Sequence, residues 1–178
     1  FNSENINALS QKALLYRIIG EREKANKTLK QIETIDPLNH FVYFEKYLMN
    51  VKTLDEVLQS HRSEFPDQTV LELALFYHNR NRNEEAVKLL DLGPKKVLNA
   101  LWSSYLKKDL KGLSILKNES IAFVFPFRKE SLDLLNWVSN NSNSWKAQYL
   151  LALNYIGRSQ WDKGVSIFKT LESTPDEP

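Results

Sequence analysis

The sequence contains no cysteine, which excludes disulfides, thiolate metal sites and cysteine nucleophiles. This does not fix a compartment, because cytosol and periplasm suit such a chain equally. Glycine is scarce, at five of 178 residues, and no glycine-rich phosphate loop, GxGxxG or GxSxG is present. No apolar run approaches the roughly 18–20 residues that a membrane-spanning helix needs, so no membrane insertion is expected. The net charge is only +2, which argues against a general nucleic-acid binder. The opening FNSENINALSQK has neither an initiator Met nor a basic stretch followed by an apolar one, so it is not a signal peptide. The chain is therefore expected to be a fragment or processed form of a longer protein, whose other domains are among its partners.

What the sequence does have is apolar residues at helical spacing, in segments of about 10–14 residues separated by short punctuation. Ala8, Leu9, Ala13, Tyr16 and Ile19 mark a first helix, which Gly20 stops. Ala25, Leu29 and Ile32 mark a second, which must end before Pro37 because proline disfavours helical geometry in the residue preceding it. HFVYFEKYLMN with TLDEVLQSHRSEF, QTVLELALFYHNR with NEEAVKLLDLG, and KKVLNALWSSYLK with DLKGLSILKN repeat the pattern. SLDLLNWVSN is a helix without an obvious partner, and SWKAQYLLALNYIG with QWDKGVSIFKTLES forms the last pair. The expected fold is all-α: an α-α superhelix of about five helix pairs over residues 1–178, each pair burying its apolar face against its neighbours.

Three of the pairs share sharper marks. Ala13, Ala74 and Ala152 are each followed three positions on by a tyrosine, at Tyr16, Tyr77 and Tyr155. Nine residues later stands another small residue (Ala25, Ala86, Gly164), and four after that a larger apolar one (Leu29, Leu90, Phe168). The small residues suit a close crossing of two antiparallel helices, and the larger ones fill the space around it. This pattern resembles the tetratricopeptide repeat. In the second and fourth pairs Phe44 and Trp102 are expected at the small-residue position, a departure from the pattern. The VFPFR segment and the tryptophan-rich last pair are also similar to the helical array of certain large bacterial proteins of unknown function. In those, the repeats follow a β-rich domain resembling sugar-processing folds.

The resemblance implies a right-handed array whose first helices line a concave groove. The groove-facing candidates are then Asn7, Ser10 and Arg17 in the first pair, Gln68, His78 and Asn79 in the third, and Lys146 and Tyr149 in the last. Relatives that clamp a peptide's C-terminal carboxylate do so with Lys and Asn; those positions fall here on Ser10 and Leu14, so recognition of that kind is not expected. The implied function is a non-catalytic protein-interaction or assembly scaffold with a protein or peptide partner. The alternative is a ligand-binding accessory module, with carbohydrate as one ligand class, attached to a larger enzyme.

Catalytic chemistry is not expected. His40, His61 and His78 form no HExxH and no i, i+4 pair. His61 and Glu64 lie one turn apart but lack a further ligand, so no metal and no cofactor are expected. Trp102, Trp137, Trp145 and Trp161, with Tyr43, Tyr47 and Tyr149, read as inter-helix packing more readily than as stacking platforms for sugars or bases. Between Lys88 and Lys129 stand nine Lys or Arg against Asp91, Asp109 and Glu119, a solvated basic face or a surface for an acidic partner. Within that span, IAFVFPFRKES cannot be continuous helix, because Pro126 forces Phe125 toward extended geometry. Ile121, Phe123, Val124, Phe125 and Phe127, on an extended apolar connector near 119–128, are expected to be buried as a plug between the fourth pair and the helix after it; a pocket for a hydrophobic partner is the alternative.

Overall fold

The structure is a computed structural model, and it describes residues 4–60 and 66–171. It is all-helical, and the described residues contain no strand. The chain divides into two compact units, residues 1–69 and 70–178.

The first unit contains α1 (Ile6–Ile18), α2 (Arg22–Ile35), α3 (His40–Leu48) and α4 (Leu54–Ser60). Local chemistry sets each boundary. The Asn5 side chain caps α1 by accepting from the Ala8 amide at 3.0 Å. α2 stops at Asp36, whose extended backbone is what the following proline requires. Asp36 then accepts from the Asn39 side chain at 2.9 Å, and Asn39 in turn caps α3. Thr53 and Glu56 form a reciprocal capping box at the start of α4. Ala13, Leu14, Ala25, Leu29, Ile32, Val42, Phe44 and Val57 supply the core. Arg17 on α1 donates to Glu45 on α3 at 2.7 Å, and Lys46 reaches Glu33 on α2 at 2.8 Å.

The boundary falls within α5 (Pro66–His78), and the second unit continues from Val70 through α6 (Asn83–Leu92) and α7 (Val97–Lys107) to a 3-10 turn at Leu110–Ser114 and the single-turn α8 (Ile115–Asn118). After a non-helical connector come α9 (Ser131–Asn141), α10 (Trp145–Gly157) and α11 (Trp161–Thr170). Asp91 on α6 accepts from Ser103 at 2.8 Å and from Lys107 at 2.6 Å, which ties α6 to α7. At the α10–α11 crossing a side chain on Gly164 would stand 2.5 Å from Ile156 Cγ1 and 3.0 Å from the Ala152 carbonyl, so glycine allows the approach without displacing either. The expected second helix of the fourth pair is replaced by the 3-10 turn and α8. Gly112 there lies against the Ser104 side chain, and the Asp109 side chain accepts from the Lys111 amide at 3.0 Å, winding the segment tighter than an α-helix. α9, unpartnered in the sequence, packs against α7 and α10.

The repeat is written in the backbone more regularly than in the side chains. The first helix of each pair ends in one residue of left-handed conformation: Gly20, Asn50, Asn81, Lys108 and Ser159. In each case the next amide bonds back to a carbonyl one turn inside the helix. The pairs are Glu21 to Tyr16, Val51 to Lys46, Arg82 to Tyr77, Asp109 to Ser104 and Gln160 to Tyr155, at 2.8–3.0 Å. This is the Schellman motif, and its recurrence marks equivalent sequence positions in the pairs. Counting back three from each acceptor gives Ala13, Tyr43, Ala74, Leu101 and Ala152. The second and fourth pairs thus carry Tyr43 and Leu101 at the equivalent position, one residue before the expected Phe44 and Trp102.

Candidate functional site

Two features of the second unit stand out from the packed helices: the connector between α8 and α9, and a cavity beside it.

The connector corrects an expectation. Only Ile121 and Pro126 are buried, and Val124 is half-buried. Phe123, Phe125 and Phe127 are 91%, 64% and 62% exposed. The reason is local. Phe123 takes a left-handed backbone (φ 61°), uncommon for a residue with a side chain, and a turn closes from the Val124 amide to the Ile121 carbonyl at 3.0 Å. Reversed at that point, the chain spends its inward positions on Ile121 and Pro126 and turns the aromatic rings outward.

The connector is nonetheless held firmly. The Asn154 side chain, buried on α10, donates to the carbonyls of both Pro126 and Arg128. Arg128 pairs with Glu72 on α5 at 2.5 Å, and Asn79, in the turn just after α5, donates to Glu130 at 3.0 Å. The hydrogen bond from Glu130's own backbone, then the Asn79 side chain and the charge of Arg128, hold the Glu130 carboxyl below the usual range.

The cavity is an open cleft of about 670 Å³ between the 3-10 turn, α8, the α9–α10 loop and the first turn of α10. Lys111, Lys117 and Lys146 line it, together with Ser114, Asn141, Ser142, Asn143, Ser144 and Trp145, and no carboxylate does. Lys146 donates to the Glu119 carbonyl at 2.8 Å, which sets its ammonium at the wall. A second cavity, in the first unit, lies along α1 and is bounded by Asn5, Asn7, Gln11, Lys12, Leu15, Tyr16 and Ile19.

The residues singled out as groove-facing are distributed as follows. Asn7 is exposed on α1, whereas Ser10 is buried. Arg17 is engaged with Glu45. Gln68 is exposed on the first turn of α5. His78 ends α5, its Nδ1 2.8 Å from the Asn83 side chain and its ring 5.3 Å from that of Trp102. Asn79 holds the connector through Glu130. Lys146 lines the cavity, and Tyr149 sits between the rings of Trp145, at 6.0 Å, and Phe168, at 5.4 Å. The structure thus brings Asn79 to the connector and Lys146 to the cavity.

Among the tryptophans, Trp102 is buried and Trp137 half-buried, both edge-on to Tyr105. Trp161 is exposed at the start of α11. Half-burial lowers the pKa of His40 below its ordinary value, against the opposing pull of Asp36 and a hydrogen bond with the Ser60 backbone. His61 and Glu64 lie outside the described residues. Among the described residues no group of three or more His, Asp or Glu is placed to hold a metal, and no helix is long and apolar enough to cross a membrane.

Sequence reasoning found the connector but not its direction, and it missed the cavity. The excess of lysine between Lys88 and Lys129 was the available signal, since it supplies two of the three cations. No model of a known protein family matches the chain, and no curated protein matches it.

Proposed function

We propose that this chain is a non-catalytic protein-interaction module. The observation that carries the reading is the exposure of Phe123, Phe125 and Phe127 on a connector tied down at Ile121, Pro126, Arg128 and Glu130. Exposed aromatic side chains concentrated on one short segment are a common mark of an interaction surface. A connector already fixed in place loses little conformational freedom on binding, so more of the contact energy appears as affinity. The partner is a protein with apolar sockets for the rings and an acidic rim facing the exposed Lys129 beside them. The tetratricopeptide-like helix pairs support the reading, since arrays of that type serve as scaffolds.

The test is a photoreactive phenylalanine analogue at position 125, in the protein produced in its own cell. The reading predicts one recurrent protein adduct from position 125 and none from position 27, an exposed lysine on α2. No adduct at 125, or the same adducts from both positions, contradicts it.

A further inference from the structure

We infer that the exposed faces of α1 and α11 dock on each other between two copies of this chain, head to tail, repeating the way one helix pair packs on the next. This contact is independent of the aromatic connector's partner. The left-handed residues Gly20, Asn50, Asn81, Lys108 and Ser159 mark equivalent positions in the first helices. Five residues before them stand Leu15, Glu45, Phe76, Ser103 and Asn154. Glu45, Ser103 and Asn154 are buried, and Phe76 is half-buried. In three pairs a segment earlier in the chain covers the position. Arg17 on α1 pairs with Glu45, Asp91 on α6 accepts from Ser103, and the connector carbonyls accept from Asn154. Only Leu15 of the five is open, at 59% exposed, and Ile19, one turn on, is 66% exposed. The counterpart of Ile19 in the second pair is Met49, which is buried and whose carbonyl accepts from Arg22, the first residue of α2.

The same equivalence identifies the occupant. α2 and α11 each begin two residues after a left-handed residue, so Trp161 is the counterpart of Arg22. Trp161 is 59% exposed, and Val165, one turn on, is exposed beside it. The place that Arg22 takes against Met49 within the chain is the place that Trp161 takes against Ile19 of another copy. Both stripes step by four residues, the spacing of neighbours on one helix face. Helices joined by short turns run antiparallel, and in that arrangement Trp161 meets Ile19 and Val165 meets Leu15. Leu15, Tyr16 and Ile19 also line the open cleft of about 660 Å³ along α1, which has room for an indole. A repeat that closes an array carries a polar outer face, whereas these two faces are apolar. Because the faces differ, the contact is heterologous, and an open assembly keeps one free face of each kind.

Sedimentation velocity of the 178-residue chain tests this. The mean mass of the parent should rise with concentration. Leu15→Lys with Ile19→Lys alters one face, and Trp161→Lys with Val165→Lys alters the other. Each double variant alone should associate about ten-fold or more weakly than the parent, because a charge replaces an apolar contact. An equimolar mixture of the two should recover association, but only to a 1:1 dimer, since each supplies the face that the other lacks. All four positions are exposed, so the variants keep the fold, which melting curves check. A photoreactive phenylalanine analogue at position 161 of the otherwise unchanged chain should crosslink to α1 of another copy. Phe123→Ser with Phe125→Ser and Phe127→Ser should associate as the parent does. A parent that stays monomeric at millimolar concentration overturns the proposal and leaves these faces to a different occupant. So does a mixture that stays monomeric, association lost through only one of the two faces, a crosslink from position 161 that misses α1, or loss of association in the connector variant.

Discussion

Asn154, buried on α10, donates its side-chain amide to the backbone carbonyl of Arg128 at 3.1 Å, and so ties a helix of the last pair to the connector that precedes α9. The same amide also reaches the Pro126 carbonyl. Replacing Asn154 with alanine removes both bonds and leaves carbonyls of a partly buried segment without that donor. The expected cost is about 1–3 kcal/mol, measured by urea unfolding. A variant as stable as the parent would mean that the connector is held by Arg128 and Glu130 alone.

Ile121 and Phe125 lie four residues apart and should respond oppositely to truncation. Ile121→Ala empties a buried position and should cost about 2–5 kcal/mol. Phe125→Ala alters an exposed ring and should change stability by no more than about 0.5–1 kcal/mol. Comparable losses in the two unfolding curves would return Phe125 to the core.

Gly164 should reverse the usual effect of a helical glycine. Glycine to alanine in an open helix stabilises by about 0.5–1 kcal/mol. Here the added carbon would stand 2.5 Å from Ile156 Cγ1 and 3.0 Å from the Ala152 carbonyl, and the carbonyl cannot rotate away. Gly164→Ala is therefore expected to destabilise by about 1 kcal/mol or more, and Ala86→Leu, at a fully buried crossing position, by about 1–3 kcal/mol. Thermal melts showing either variant to be more stable would place the crossing elsewhere.

How much of this was legible in the sequence differs by element. Helix boundaries were, because Asn5, Gly20, Asp36-Pro37 and Gly93-Pro94 carry their own stop and start chemistry. The left-handed turns at Lys108 and Ser159 were not, since neither residue type favours that conformation; Asn50 and Asn81 signal it, but more weakly than Gly20. The break at Pro126 was legible; the outward direction of the rings was not. A dense run of phenylalanines states how much apolar surface exists and not which way the chain faces, and one left-handed residue at Phe123 decides that. The cavity was illegible because Lys111, Lys117, Asn141 and Lys146 meet only after three helical segments have packed.

The half-buried ring of His40 gives a pH dependence with a definite sign. Its pKa is lower folded than unfolded, so at mildly acidic pH the unfolded chain binds more protons. Its contribution to stability is present above the unfolded histidine value and is lost as pH falls toward the folded one. The carboxyls of Glu56, Asp91 and Glu130 are held low, Glu56 at about 2, and they begin to titrate only at lower pH. The melting temperature should therefore fall between about pH 7 and pH 5.5, and His40→Gln should flatten that slope. An identical slope in the variant would assign the effect to other groups.

The central claim is that the exposed rings of the connector serve a partner and not the fold. The most direct measurement combines Phe123→Ser, Phe125→Ser and Phe127→Ser in one chain and compares its melting temperature and its partner adduct with the parent's, the photoreactive residue being placed at Lys129. The account predicts a melting temperature within about 2–4 °C of the parent, the shift that about 1 kcal/mol produces in a chain of this size, together with loss of the adduct. A melting temperature lowered well beyond that, or an adduct that persists undiminished, would contradict it.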